Sequence, residues 1–199
     1  MSANIRGGRA VRPYYLPCQD AGNFDVGQTG IAAAVVADGV SNNWRSEIAS
    51  SCAVSEFLDR IAAAPERPDA DFYSGLFTDL TNAIRKQAES ETGRRPDQWP
   101  ATTLLVAVFD QRATGGLTLA YVGDGAIWLV RGDRQDGIPL LLPTANRIGL
   151  EGVLNPEDEH IHPVVIRLDN GASWLGGWLV VIATDGVPLL FKDGGAIKR

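Results

Sequence analysis

Three runs of small and β-branched apolar residues stop abruptly at the same dipeptide. Residues 31–37, IAAAVVA, run into Asp38-Gly39; residues 117–122, LTLAYV, into Gly123-Asp124-Gly125; and residues 178–184, WLVVIAT, into Asp185-Gly186. Unbroken apolar runs of this length, closed by glycine and polar residues, predict buried strands that each deliver a carboxylate to a sheet edge. After the first run, Ser41, Asn42 and Asn43 carry helix-capping side chains, so 31–43 reads as a strand, a sharp turn and a helix start. Asp-Gly is also among the commonest turn dipeptides. Asp136-Gly137 and Asp193-Gly194 follow polar or charged residues and read as plain turns, as does Asp133.

Between the first and second runs the pattern changes to a helical one. Ile48, Cys52, Phe57 and Ile61, with Ala49, Ala53, Leu58 and Ala62 beside them, fall on one stripe that ends before Pro65. Phe72, Leu76, Leu80, Ile84 and Ala88 recur at four-residue spacing, with Asp69 or Asp71 as N-cap and Gly93 as the close. These two helices should form an antiparallel pair. From Thr102 the period is that of strands: 102–110, a Gly115-Gly116 turn, 117–124, 126–132, a loop over 132–137, then 138–142, which together predict an antiparallel meander. Residues 143–163 hold three prolines and no period, so they read as an irregular loop or flap before strands at 164–168 and 178–184. Upstream, 1–10 is Gly- and Arg-rich and expected to be disordered, 11–16 is an edge strand interrupted by Pro13, and 18–23 is a turn carrying Asp20. The class is α+β, with helices covering antiparallel sheet. Parallel βαβ units do not fit, and no GxxxxGK[ST] or GxGxxG stands between a strand and a helix.

Composition narrows the function further. The 199 residues suffice for a single domain, and 45% hydrophobic with 21% charged residues is ordinary for a globular protein. A net charge of −6 with scattered basic residues argues against nucleic acid or an anionic membrane as partner. No apolar run nears the ~20 residues that span a bilayer, and the N-terminal residues lack the apolar core of a signal peptide, so the cytoplasm is the expected location. Cys18 and Cys52, without CxxC spacing, read as two reduced thiols. His160 and His162, two apart, read as one exposed and one packed imidazole rather than a metal pair. Glu157, Asp158 and Glu159 read as a solvated loop, and Trp128, Trp174 and Trp178 as core or sheet-cover aromatics.

Three strand-end carboxylates brought together cannot all stay ionised unless a cation neutralises them, and hard oxygen donors select a divalent metal such as Mg2+ or Mn2+. The ordered set Gln19-Asp20, Val36-Ala37-Asp38-Gly39-Val40-Ser41, Ala101-Thr102-Thr103, Val122-Gly123-Asp124-Gly125 and Ala183-Thr184-Asp185-Gly186-Val187 resembles the metal-dependent protein phosphatases of the 2C type, in their bacterial form. The resemblance implies an antiparallel β-sandwich flanked by antiparallel helix pairs. It also implies a centre of two Mn2+ or Mg2+ ions whose activated water hydrolyses phosphoserine and phosphothreonine in a phosphorylated protein substrate, in bacterial signalling. Asp38 would bridge the two ions, the Gly39 carbonyl would ligate one and Asp185 the other. Asp20 would hold metal-bound water, and Asp124 would ligate a third, weaker ion. Asp38 and Asp185 are then the catalytic pair.

The chain departs from that pattern in several places. Gln19 stands where many members have Glu, Leu16 and Pro17 stand where a phosphate-binding Arg is usual, with Arg12 the nearest, and Val40 replaces the His of eukaryotic members. Only residues 187–199 follow Gly186, so the family's C-terminal helix and last strand, with its Asp, are expected to be missing, which would leave a sheet edge open and activity weak. The alternative is a non-catalytic regulatory or phosphoprotein-binding module on the same fold. Another α+β metal-dependent hydrolase is a third reading without a positive signature. The oligomeric state is not legible.

Overall fold

A computed structural model of the chain describes residues 18–27, 30–65, 68–93, 98–112, 116–131, 137–141, 152–159, 161–169 and 177–184. Along the chain these form β1 (Asp20–Val26), β2 (Ile31–Asp38), α1 (Ser46–Ile61), α2 (Ala70–Thr92), β3 (Leu104–Asp110), β4 (Gly116–Val122), β5 (Ala126–Arg131), β6 (Gly137–Leu141), β7 (Val164–Leu168) and β8 (Trp178–Ala183). One sheet has five strands in the order β1-β2-β3-β4-β7, a second has three in the order β6-β5-β8, and every pairing is antiparallel. The expected α+β sandwich is observed. Among the described residues no helix is long and apolar enough to cross a membrane.

Helix α2 begins and ends where its cap chemistry says it should, whereas α1 does not start at 41–43 as expected but at Ser46, after Arg45, whose side chain makes no cap hydrogen bond. The Asp69 side chain accepts from the Phe72 N–H at 2.9 Å, satisfying one of the free amides of the first turn of α2, and Gly93 closes that helix in the left-handed conformation. Arg45, just before α1, reaches Glu91 in the last turn of α2 at 2.7 Å, and Arg60 near the end of α1 reaches Asp79 at 3.0 Å. The two helices therefore run antiparallel, as their short connection predicts.

The layering follows from strand β2. Its odd positions, Ile31, Ala33, Val35 and Ala37, are buried in one core cluster with Phe57 and Ile61 of α1 and with Tyr73, Phe77 and Leu80 of α2. Small alanines in the sheet leave room for large aromatics from the helices, so the two layers interdigitate. On the opposite face Val36 packs into a second cluster with Leu105, Leu119, Ile127, Leu129 and Ile182, which joins the two sheets. The five-stranded sheet is thus covered on both faces, which is why Leu104 to Val108 are all buried and the sequence there reads as an unbroken apolar run.

Three further expectations need correction. Residues 20–26 are not a turn region but the edge strand β1, because the free backbone groups of β2 recruit them into the sheet despite a sequence, DAGNFDV, poor in strand-forming residues. The run from Thr102 is not one meander: β3 and β4 lie in the first sheet, and β5 and β6 in the second. Gly123, at φ 85°, and Gly125, at φ 153°, let the chain leave one sheet for the other between β4 and β5. The irregular 143–163 segment is, in its described part, fastened to the sheet. Leu154 is fully buried and bridges Thr102 through two backbone hydrogen bonds, of 2.8 and 3.2 Å. The expectations for 1–10, 11–16, Asp133, Asp136, His160, Trp174, Asp185 and Asp193 lie outside the described residues.

Candidate metal centre

The antiparallel registers carry several strand ends to one end of the sandwich. Asp20, the first residue of β1, is the direct partner of Asp38, the last residue of β2. The start of β3 is paired with the end of β4, since Leu104 faces Val122, and the start of β5 with the end of β8, since Ala126 faces Ala183. Directly opposed residues in an antiparallel pair project to the same face with Cβ atoms about 4.5–5.5 Å apart. Because Ala21 and Ala37 turn toward the helices and Val36 toward the second sheet, Asp20 and Asp38 sit on the face between the sheets, at its rim. Both are half-buried, whereas Asp124 is exposed. Two carboxylates facing each other repel.

The backbone around Asp38 is tightly held. The Asp38 carbonyl accepts from the Thr103 N–H and from the Thr102 hydroxyl, each at 2.9 Å, and the Asp38 N–H donates to Thr103 Oγ1 at 3.1 Å. The next residue, Gly39, donates to the Gln19 carbonyl at 3.0 Å, and Val40 donates to the Ala101 carbonyl at 2.9 Å. The Ser46 hydroxyl, at the first residue of α1, donates to the Val40 carbonyl at 2.6 Å and so ties the helix start to the turn. A Cβ on Gly39 would lie 2.8 Å from Ser46 Cβ and from the Ser46 carbonyl oxygen, and 2.9 Å from the Gln19 carbonyl oxygen. Only glycine fits between β1 and α1 there.

Asp124 is placed by the glycines on either side of it. A Cβ on Gly123 would stand 2.6 Å from Thr103 Cγ2, and one on Gly125 would stand 2.7 Å from Leu105 Cδ2 and 2.9 Å from the Ala183 carbonyl oxygen. The turn is therefore pressed against the start of β3 and the end of β8, the strand that leads toward Asp185. The structure brings Asp20, Asp38, Gly39 and the Asp124 turn to one end of the sandwich, while Asp185 is outside the described residues. Among the described residues no three His, Cys, Asp or Glu side chains converge closely enough to hold a metal. Ser46, Thr102 and Thr103 hold the backbone around Asp38; sequence reading assigned the threonine pair no such task, although Ala101-Thr102-Thr103 is among the motifs that carry the family resemblance. Cys18 is exposed, Cys52 is half-buried, and neither is in a disulfide.

The family model described as protein phosphatase 2C matches residues 8–195. The chain belongs to the protein phosphatase 2C family. Similar solved structures include a bacterial serine phosphatase, which has TM-score 0.68, 16% identity, and coverage of 97% of this chain and 80% of that one. They also include the serine/threonine phosphatase Stp1 from Staphylococcus aureus, with TM-score 0.66, 16% identity and coverage of 97% and 78%. A third is PppA, a regulatory component of T6SS in Pseudomonas aeruginosa, with TM-score 0.61, 19% identity and coverage of 98% and 79%. At these identities the structures speak for the fold, which is the phosphatase 2C sandwich. No curated protein matches the sequence.

Proposed function

We propose that this member of the protein phosphatase 2C family is a metal-dependent hydrolase of phosphoserine and phosphothreonine in proteins. The observation that carries the proposal is the register that sets Asp20 against Asp38, with the Asp38 peptide clamped by Thr102 and Thr103 at the end of the sandwich. The donors fit hard divalent cations, being carboxylate and backbone oxygens, and the packing of Ser46 and the Gln19 carbonyl against Gly39 fixes the turn that carries them. Asp38, the Gly39 carbonyl and Asp185 would hold two Mn2+ or Mg2+ ions, Asp124 a third and weaker one, and Asp20 would order water beside them.

When bound, such an ion pair supplies an acidified water as nucleophile and neutralises charge on the transferring phosphoryl group. The chain's own part is to fix the carboxylates. The strand register holds Asp20 and Asp38 at one spacing, and Gly39 and Ser46 lock the turn between β2 and α1, so no reorganisation is needed when charge develops. Gln19, a neutral side chain where a carboxylate is common in the family, lowers the negative charge available to a hard cation, so turnover is weak. The cytosol as compartment is supported by two thiols that are not in disulfides.

Hydrolysis of p-nitrophenyl phosphate and of a phosphothreonine peptide tests this reading. Turnover is expected with millimolar Mn2+ or Mg2+, and none with Zn2+ or with chelator. Asp38→Ala and Asp185→Asn should abolish it and Cys18→Ser should keep it. Activity that survives chelation, or that is lost with Cys18, would sink the mechanism. Tight Mn2+ binding without turnover would instead favour the regulatory-module reading.

A further inference from the structure

We infer that Thr103, assisted by Thr102, is a positioning residue for the Asp38 carboxylate; this rests on the metal-centre reading above. Asp38 and Thr103 face each other between the last continuous pair of the β2–β3 ladder, Val36 and Leu105, and the isolated bridge of Gly39 with Thr102. There the Thr103 backbone N–H bonds the Asp38 carbonyl at 2.9 Å, but the return bond, from the Asp38 N–H, goes to the Thr103 side-chain oxygen at 3.1 Å. A side chain has replaced a backbone rung. The single proton of the Thr102 hydroxyl is shared between the same Asp38 carbonyl, at 2.9 Å, and the Thr103 carbonyl, at 3.0 Å. Both polar atoms of the Asp38 main chain are thus held by this threonine pair.

The hydroxyls are buried, with Thr102 0% and Thr103 5% exposed. A buried hydroxyl is costly unless it is hydrogen-bonded, and valine would fill the same volume at less expense. The orientation of Thr103 is also fixed from its other branch. Its Cγ2 lies so close to Gly123 that no Cβ is tolerated there, and a β-branched side chain held by its methyl has little freedom left at χ1. The methyl against Gly123 points the hydroxyl at Asp38. Thr102 is held on its far side by two backbone hydrogen bonds to Leu154. One dipeptide therefore links the bridging carboxylate, the Asp124 turn and the 152–154 segment, and it limits how far the end of β2 can fray.

The test is the affinity for Mn2+ alone, measured by calorimetry on the full chain, its Thr103→Val variant and its Thr103→Ser variant, with a thermal melt of each. Valine keeps the shape and loses the hydroxyl; serine keeps the hydroxyl and loses the methyl. Thr103→Val is expected to weaken Mn2+ binding by about 10-fold, the lower end of what loss of an outer-shell partner does to metal affinity. Thr103→Ser should melt earlier yet bind Mn2+ as the unchanged chain does. Equal affinity in Thr103→Val and the unchanged chain would overturn the proposal alone, as would equal weakening in both variants, which would make packing the cause. Absence of Mn2+ binding by the unchanged chain would overturn the metal-centre reading and this inference with it. Should Thr103→Val not fold, hydrogen exchange of the Asp38 amide in the unchanged chain decides: slow exchange supports the bond to Thr103, and exchange at the rate of an open amide refutes it.

Discussion

Replacing Gly39 by alanine adds one methyl group where three atoms already stand closer than van der Waals contact allows. The new Cβ would meet Ser46 Cβ and the Ser46 carbonyl oxygen at 2.8 Å, and the Gln19 carbonyl oxygen at 2.9 Å. None of these is the end of a flexible side chain, so relief requires the start of α1 or the entry to β1 to move. Both are pinned, α1 by the 2.6 Å bond from Ser46 to the Val40 carbonyl and β1 by the 3.0 Å bond from the Gly39 N–H to Gln19. Overpacking of a well-filled site costs about 1–3 kcal/mol, and a broken hydrogen bond adds about 0.5–1.5 kcal/mol. A loss of about 2–4 kcal/mol is expected for Gly39→Ala on these terms, together with weaker Mn2+ binding. Gly75 is the control, since it lies inside α2 and a Cβ there meets nothing within 4 Å. Gly75→Ala should stabilise the chain by about 0.5–1 kcal/mol through helix propensity alone. Urea unfolding followed by circular dichroism reads both. If Gly39→Ala proved as stable as the unchanged chain, β1 and α1 would not close on the Asp38-Gly39 turn as tightly as the distances imply.

Two further outcomes follow from buried groups near the helices. Among the described residues the buried Tyr73 hydroxyl has no hydrogen-bond partner of good geometry, and burial pushes the phenol up to about 12, a shift that the neighbouring Thr118 side chain tempers. Tyr73→Phe should therefore raise stability by about 1 kcal/mol, and a fall in the urea midpoint would show that the hydroxyl is satisfied. Burial, aided by Glu56, lifts the Cys52 thiol to about 11 from its usual 9.0, so the unfolded chain releases its proton first and stability drains away as pH rises from 9 toward 11. Thermal melts across that window should show a shallower decline for Cys52→Ala than for the unchanged chain, and equal slopes would refute the assignment.

Local chemistry in the sequence sets most elements and several of their ends. The four-residue spacing of Phe72, Leu76, Leu80 and Ile84, with Asp69 before it and Gly93 after it, is enough to place α2, because capping and amphipathicity depend on neighbours a turn away. Two of the apolar runs that end in Asp-Gly likewise mark the end of β2 at Asp38 and the turn that follows β4 at Asp124. The ordered motifs that contain them carry the resemblance to the family whose model matches residues 8–195.

Tertiary structure decided what those local rules cannot express. Residues 18–23 read as a turn, yet 20–26 are a strand because β2 offers them a ladder, and that pairing alone sets Asp20 against Asp38. The period of two is the same in either sheet, so it could not say that β5 leaves the meander; Gly123 and Gly125 allow the crossing, and packing against Thr103 and Leu105 directs it. Thr102 and Thr103 read as the start of a strand, but their hydroxyls became the clamp on Asp38 only once β2 lay beside them. Hydrophobic periodicity and capping act over a few residues of chain, whereas register, sheet membership and the partners of a buried hydroxyl are set by hydrogen bonds between segments about 65 residues apart, and those form only when the sheets close.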